Sequence, residues 1–242
     1  MRIAIIPARG GSKRVPMKNV KLFKGIPILQ RTINVLKSSQ LFDQVIVSTD
    51  SVEIQKLAIS LGALSENLRP DELSTDTTPT IEVISHEIEV NALQGDNQIC
   101  CVYAANPFLR EDALSLGLLQ LNNEPIPKYV TTVTTFPFPI QRALSLNDDS
   151  LMSMVHKEFI LRHSQSLEER FHECAQFWWA QASTWTKKLP MQEGVRGIYV
   201  PRWMTQDIDT PEDWVQAEIR WEILQNLDDY KNFRISEDSV IN

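Results

Sequence analysis

The chain is poor in cysteine and has no long apolar run. Only three cysteines occur in 242 residues, and no Cys/His spacing typical of a zinc site accompanies them. This number argues against a disulfide framework, so we interpret Cys100, Cys101 and Cys174 as reduced core residues. Because no run of eighteen apolar residues and no signal cleavage site occurs, we expect a soluble cytoplasmic protein with no membrane partner.

An excess of positive charge is also absent. Lys and Arg number 24 against 31 Asp and Glu, which gives a formal net charge of −7. A basic stripe of the kind that follows a nucleic-acid backbone is missing, so we expect no nucleic-acid partner. The length and the hydrophobic content of 43% allow a large core. We expect residues 1–242 to form a single domain.

Two common phosphate-binding signatures are missing. A Walker loop needs four residues between its first glycine and Gly-Lys-Ser/Thr, and a dinucleotide fingerprint needs Gly-x-Gly-x-x-Gly before a helix. Instead, Gly10 and Gly11 let backbone N–H groups approach an anion directly after a short apolar strand. The same loop carries Arg9, Lys13, Arg14 and Lys18. A plain strand-to-helix turn explains two adjacent glycines, but the four cations favour a polyphosphate site.

Strand and helix patterns alternate along most of the chain. Apolar segments predict strands over Arg2–Ala8, Gln44–Thr49, Gln98–Ala104, Tyr129–Thr135 and Gly197–Val200. Helical periodicity is found over Ile28–Lys37, Val52–Leu61, Thr80–Leu93, Glu111–Leu121 and Pro211–Leu224. The alternation predicts an α/β fold with a doubly wound, mostly parallel, Rossmann-like sheet. Ligands are then expected at the carboxyl ends of its strands.

The alternation is interrupted between about residues 136 and 185. Pro137 and Pro139 do not suit a central strand, so we expect an excursion from the sheet as an extended arm or hairpin. Aromatic residues cluster in its second half, where a buried core cluster and an interface explain them equally well. Beyond the last helix, the acidic tail from Asp228 is expected to pack loosely.

A second chemical group is the pair Asp207 and Asp209. In an extended segment both carboxylates point to one side, and adjacent carboxylates facing phosphates are an ordinary way to hold Mg²⁺. The alternative is that Asp209 or Thr210 caps the helix that begins at Pro211, for which Thr210 is a suitable N-cap.

The stretch Ile-Pro-Ala-Arg-Gly-Gly-Ser-Lys-Arg-Val-Pro-x-Lys-Asn resembles the signature of the CMP-sialic acid synthetase (acylneuraminate cytidylyltransferase) family. The resemblance implies a nucleotidyltransferase that uses CTP and Mg²⁺ and forms a homodimer through the segment 136–185. It implies catalytic roles for Arg9, Lys13, Lys18 and Asp209, and metal binding by Asp207 and Asp209. The implied nucleotide-binding residues are Ala8, Arg9, Gly10, Gly11, Ser12, Lys18, Asn19, Arg69 and Thr80.

The middle of the chain resembles the branch of this family that activates pseudaminic acid, a nine-carbon acidic sugar. The segments from Thr134 to Leu144 and from His172 to Trp179 carry this resemblance. A glycine of the family is replaced by Ala175, and Tyr103 occupies a position where sialic acid enzymes have glutamine. The implied sugar-binding residues are Asn106, Gln141, Arg142 and Gln176.

The reaction that this resemblance implies is attack of the sugar's anomeric hydroxyl on the α-phosphate of CTP, with release of pyrophosphate. The product would enter nucleotide-sugar biosynthesis for a cell-surface glycan, as in flagellin glycosylation. Three alternative acids remain open, namely N-acetylneuraminate, legionaminate and 3-deoxy-manno-octulosonate. A non-enzymatic alternative is a regulatory module that binds CTP. A substrate panel separates these possibilities.

Overall fold

The computed structural model describes residues 1–241 and contains ten strands and seven α-helices in that range. The strands are β1 Arg2–Pro7, β2 Leu22–Phe23, β3 Ile26–Pro27, β4 Gln44–Ser48, β5 Gln98–Val102, β6 Tyr129–Thr135, β7 Leu144–Leu146, β8 Met152–Met154, β9 Phe171–Gln181 and β10 Val195–Tyr199. The helices are α1 Ile28–Ser38, α2 Val52–Ser60, α3 Thr80–Val90, α4 Glu111–Leu121, α5 Ala182–Thr186, α6 Pro211–Gln225 and α7 Asp228–Asn232.

The predicted mostly parallel sheet is confirmed. Six strands form it in the order β10-β6-β9-β5-β1-β4. β1 pairs in parallel with β4 and β5, and β10 pairs in parallel with β6. β9 is the exception, because it runs antiparallel between β5 and β6. The carboxyl ends of the parallel strands thus meet at one edge of the sheet, where ligands are expected.

Both faces of the sheet are covered, as a doubly wound fold requires. Successive side chains of a strand point to opposite faces. On β1, Ala4 and Ile6 pack into the cluster that includes residues of α1 and α4, whereas Ile3 and Ile5 pack with residues of α3 and α5. This two-sided burial explains why β1 reads as a continuous apolar run. Within residues 1–241, no helix is long and apolar enough to span a membrane.

The structure corrects the extent of the predicted excursion at 136–185. The chain leaves the sheet after Thr135, forms the small hairpin of β7 and β8, and returns at Phe171. Residues 171–181 then form the antiparallel strand β9, with Trp178 and Trp179 buried in the core. Within the predicted excursion, residues 136–170 therefore lie outside the main sheet before β9, and residues 182–185 belong to α5. We call residues 136–170 the arm.

The end of the chain is better anchored than predicted. Ile235 is buried, and its backbone N–H donates to the carboxylate of Asp112. Val240 forms a bridge with Ile198 of β10. The expectation of a loosely packed tail was therefore wrong, because apolar residues spaced between the acidic ones reach the core.

Candidate active site

A cleft of about 620 Å³ opens at the carboxyl ends of β1 and β5. Its walls come from the loop after β1, the loop before α3, the end of β5, the middle of β9 and the segment before α6. Nine of the residues predicted for the site line it, namely Arg9, Ser12, Lys13, Lys18, Asn19, Arg69, Thr80, Asp207 and Asp209. Segments far apart in the sequence therefore converge on one cavity.

Backbone and amide contacts fix the loop after β1. The N–H of Ala8 donates to the Ser48 carbonyl at 2.8 Å, and the N–H of Gly10 donates to Asp50 Oδ1 at 2.7 Å. The buried Asn19 side chain donates from Nδ2 to the Arg9 carbonyl at 2.9 Å. A Cβ at position 10 would lie 2.8 Å from Cβ of Ser51, so the close approach to the α2 N-terminus requires glycine.

Four basic residues of this loop, Arg9, Lys13, Arg14 and Lys18, line one side of the cleft, and we call them the cation wall. Arg9 Nη1 and Lys13 Nζ each lie 2.5 Å from a carboxylate oxygen of Asp76. Hydrogen bonds from Lys13 and then Arg9 lower the pKa of Asp76. The carboxylate of Asp76 thus contacts two cations in the way that a phosphate oxygen would.

Asp209 joins the cation wall to the segment before α6. Arg14 Nη2 lies 2.9 Å and Lys18 Nζ lies 3.7 Å from Asp209 Oδ1. Lys18 also donates to the Ile208 carbonyl at 2.7 Å, which keeps its side chain only 22% exposed. The predicted helix cap is present as well, because Thr210 and Asp213 form a reciprocal capping box. Thr210 is the cap, so the carboxylate of Asp209 is not used to cap α6 and instead faces Arg14 and Lys18.

Asp207 and Glu173 form a second charged region of the cleft, which we call the acidic wall. The pKa of Asp207 is raised, first because surrounding protein displaces water and then because Asp209 repels its negative charge. Glu173 adds to that repulsion. Carboxylates that oppose each other in this way are stabilised by a cation.

The proposed metal site agrees with this donor chemistry. Mg²⁺ is commonly held by one or two carboxylates together with substrate phosphates. Asp207 and Asp209 supply two carboxylates beside the cation wall. Within residues 1–241, no group of three or more His, Cys, Asp or Glu side chains is arranged to hold a metal. The pair therefore fits an ion that takes its remaining ligands from a bound substrate.

Arg69 and Thr80 lie on the side of the cleft formed by the loop before α3. Arg69 is 5% exposed, and its Nε donates to Ser74 Oγ at 3.1 Å. Burial lowers its pKa, against the opposing effect of Asp50. Thr80 begins α3, and its side chain partly offsets the rise in the pKa of Tyr103 that burial causes. A buried guanidinium and a hydroxyl suit recognition of a nucleoside with several acceptor oxygens.

The residues predicted to bind the sugar do not line the cleft. Gln176 Nε2 donates to the Met204 carbonyl at 3.1 Å, and Gln141 Nε2 donates to the Glu168 carbonyl at 2.7 Å. Arg142 Nη2 donates to the Arg162 carbonyl at 3.0 Å, within the arm. Asn106 is buried, and its Nδ2 has no hydrogen-bond partner among the residues that the structure describes. Of the predicted nucleotide-binding residues, Ala8, Gly10 and Gly11 do not line the cleft either.

Comparison with known proteins agrees with this geometry. The family model described as "Cytidylyltransferase" matches residues 3–176. The chain belongs to the cytidylyltransferase family. It is 34% identical over 227 residues to the "Pseudaminic acid cytidylyltransferase" of Campylobacter jejuni subsp. jejuni serotype O:2, covering 91% of this chain and 96% of that protein.

One further relative and one solved structure are informative. A segment of 85 residues is 44% identical to the "CMP-N,N'-diacetyllegionaminic acid synthase" of Legionella pneumophila. This segment covers 35% of this chain and 37% of that protein. The solved structure of CMP:2-keto-3-deoxy-manno-octonic acid synthetase, complexed with CTP, has a TM-score of 0.67 and 15% identity over 93% of this chain and 99% of that one. At this identity the structural likeness shows the fold alone.

The residues that line the cleft of this cytidylyltransferase, but that the sequence did not identify as site residues, include Asp76, Tyr103 and Glu173. Asp76 and Tyr103 lie beside predicted positions, and both follow the rule that polar residues after sheet strands or before helices approach the ligand edge. Glu173 could not be found in this way, because its place in the cleft depends on how β9 pairs with β6.

Proposed function

We propose that this chain is a pseudaminic acid cytidylyltransferase, which converts CTP and pseudaminate to CMP-pseudaminate and pyrophosphate. The observation that carries the proposal is that the cation wall and the carboxylates of Asp207 and Asp209 line one cleft. The similarity to the Campylobacter jejuni protein over most of both chains supports pseudaminate as the acid.

The cation wall is proposed to bind the triphosphate of CTP. Arg9 and Lys13 would exchange their contacts with Asp76 for phosphate oxygens. Lys18, which the Ile208 carbonyl holds in place, would stabilise charge that develops on the leaving pyrophosphate. The sugar's anomeric oxygen forms a bond to the α-phosphorus of CTP. The bond from that phosphorus to the oxygen that bridges to the β-phosphorus breaks, and pyrophosphate leaves. No covalent enzyme intermediate is needed.

The proposed cofactor is Mg²⁺, held by Asp207 and Asp209. When bound, it would supply positive charge that offsets the charge of the phosphates. Burial raises the pKa of Asp207, and repulsion by Asp209 raises it further, which supports this assignment because a bound cation would relieve both effects. Arg69 and Thr80 are proposed to bind the nucleoside, and the loop residues Ala8, Gly10, Gly11, Ser12 and Asn19 to shape the phosphate site.

The proposed assembly is a homodimer formed through the arm. Large apolar side chains of the arm are exposed, and Leu161 is 92% exposed. Others with exposed surface are Phe138, Leu144, Leu146, Leu151, Met152, Val155 and Ile160. Apolar surface of this extent suits contact with a second copy. Sedimentation at micromolar concentration tests this, and a monomer would contradict it.

The proposed partners are therefore CTP and a nine-carbon acid, in the cytoplasm where CTP is available. Nucleic acid is not among them, because the chain is acidic. Asn106, Gln141, Arg142 and Gln176 remain proposed sugar ligands only through the family resemblance. For Arg142 and Gln141, contact with the sugar would require that the arm of one copy reach the cleft of another.

Pyrophosphate release with CTP, Mg²⁺ and a panel of acids tests the proposal. The panel contains pseudaminate, legionaminate, N-acetylneuraminate and 3-deoxy-manno-octulosonate. Release with pseudaminate and CTP is the expected result. Release with legionaminate alone would favour the second candidate, which the 44% identical segment supports. Silence with all acids, with CTP still bound, would favour a regulatory module.

A further inference from the structure

β9 carries a long bulge where it borders the cleft. On β6 the pairing passes from Thr131 to Val133, whereas on β9 it passes from Trp178 to Glu173. β9 therefore uses four intervening residues, 174–177, where β6 uses one. Bulges next to active sites re-aim side chains that a regular strand would direct elsewhere. The bulge brings Glu173 and Ala175 to the wall of the cleft.

The backbone of the bulge holds the Glu173 carboxylate in place. Ala175 has a φ of 50°, in the left-handed region that a residue with a Cβ adopts at a cost. In that conformation the N–H of Ala175 donates to Glu173 Oε2 at 2.6 Å. Strain of this kind concentrates at ligand-binding sites. A backbone donor thus orients an acidic side chain that is exposed to the cleft.

The charges around Glu173 narrow what it can bind. Among the side chains that the structure describes, no basic one lies within ion-pair distance of Glu173, whereas Asp76 and Asp209 each contact two cations. The negative charge of Glu173 also acts on Asp207, because it helps to raise the pKa of that carboxyl group. A phosphate or a sugar carboxylate would be repelled here. A neutral hydrogen-bond donor is attracted, because an ionised carboxylate accepts strongly from O–H and N–H groups.

We infer that Glu173 is a sugar-binding residue, which accepts a hydrogen bond from a hydroxyl or acylamino group of the acidic sugar. The inference rests on the proposed function and specifies the sugar side of that site. The triphosphate and the sugar's own carboxylate then lie toward the cation wall, and the uncharged face of the sugar lies against the acidic wall.

The test is steady-state kinetics of Glu173→Gln, with Glu89→Gln as control. Glu89 is exposed on α3 and does not line the cleft. The amide oxygen of glutamine still accepts from the Ala175 N–H, so the bulge is preserved, and thermal melting checks this. We expect KM for the sugar acid to rise about tenfold through loss of a charge-assisted hydrogen bond. KM for CTP and the Mg²⁺ concentration for half-maximal rate should change less than twofold, and Glu89→Gln should match the wild type.

An unchanged KM for the sugar acid in Glu173→Gln would overturn the inference. So would a shift confined to the Mg²⁺ dependence, which would place Glu173 at the metal. If the wild-type protein turns over pseudaminate, the proposed function stands even when the kinetics of Glu173→Gln contradict the inference. If the wild-type protein turns over no acid with CTP, both the proposed function and the inference about Glu173 are overturned.

Discussion

The two walls of the cleft differ in how their charges are balanced. In the cation wall, Asp76 and Asp209 pair with basic side chains of the loop after β1. In the acidic wall, neither Asp207 nor Glu173 has an ion-pair partner among the described side chains. A ligand at the first wall must displace carboxylates that already stand there, whereas a ligand at the second supplies charge or donors that the protein lacks.

The largest expected effect is the loss of catalytic rate when Lys18 of the cation wall is replaced. Lys18→Ala should lower kcat/KM about 10²- to 10³-fold, because one preorganised charge near the leaving pyrophosphate is lost. Lys56→Ala, an exposed change on α2, serves as control. Circular dichroism shows whether the fold persists without the contact to Ile208. A folded Lys18→Ala protein with the wild-type rate would contradict the assignment of this wall.

Replacing Asp209 tests whether this carboxylate, beside the cation wall, binds Mg²⁺ together with Asp207 of the acidic wall. Asp209→Asn should raise the Mg²⁺ concentration for half-maximal rate about tenfold, since one of two carboxylate ligands is neutralised. The measurement is a titration of Mg²⁺ at saturating CTP. Glu212→Gln in the first turn of α6 is the control. An unchanged titration in Asp209→Asn would assign Asp209 only to its ion pairs with Arg14 and Lys18.

Asp76 tests whether the protein's own carboxylate competes with phosphate. Asp76→Asn should lower KM for CTP roughly two- to fivefold, which is the range for exposed ion pairs. Asp71→Asn, in the same loop outside the cleft, should leave KM unchanged. A rise in KM for CTP would instead assign Asp76 to positioning Arg9 and Lys13 for the triphosphate.

A smaller effect is expected on stability at Asp207. Its raised pKa means that the folded protein disfavours the ionised carboxylate, so stability falls as pH rises past the unfolded value of about 3.9. Asp207→Asn should therefore increase the free energy of unfolding at neutral pH without Mg²⁺. The gain should vanish at a pH below both pKa values. Urea unfolding at several pH values measures it, and destabilisation at pH 7 would contradict the account.

The smallest change concerns the bulge. Ala175→Gly should stabilise the protein by about 0.5 kcal/mol, because glycine adopts a positive φ without the cost of a Cβ. Ala58→Gly within α2 should destabilise it by at least about 1 kcal/mol, because glycine weakens a helix and a buried methyl group is lost. If thermal melting shows that Ala175→Gly and Ala58→Gly lose the same stability, the backbone of the bulge is not strained.

The sequence predicts the sheet and the cation wall well for physical reasons. Strands buried on both faces are continuous apolar runs, and a loop after the first strand must open at the ligand edge. β9 was missed as a sheet strand because the prolines before it indicate departure from the sheet, and nothing local predicts the return at Phe171. Its pairing and bulge depend on contacts with β5 and β6.

The orientation of side chains along β9 relative to the cleft could not be predicted for the same reason. Gln176 was expected to bind the sugar, but its side chain reaches the Met204 carbonyl, whereas Glu173 in the same strand lines the cleft. Which side chains of an irregular strand point to a ligand depends on the bulge, because each added residue reverses the alternation. The motif alone could not separate these two residues.

The most direct test of the two-wall account is a crystal structure of the protein with Mg²⁺ and a CTP analogue that resists transfer. The account predicts triphosphate oxygens in hydrogen-bond contact with Arg9, Lys13 and Lys18, with the contacts of Asp76 broken. It also predicts no phosphate beside Glu173. A triphosphate seated elsewhere, with Asp76 still paired to Arg9 and Lys13, would contradict it.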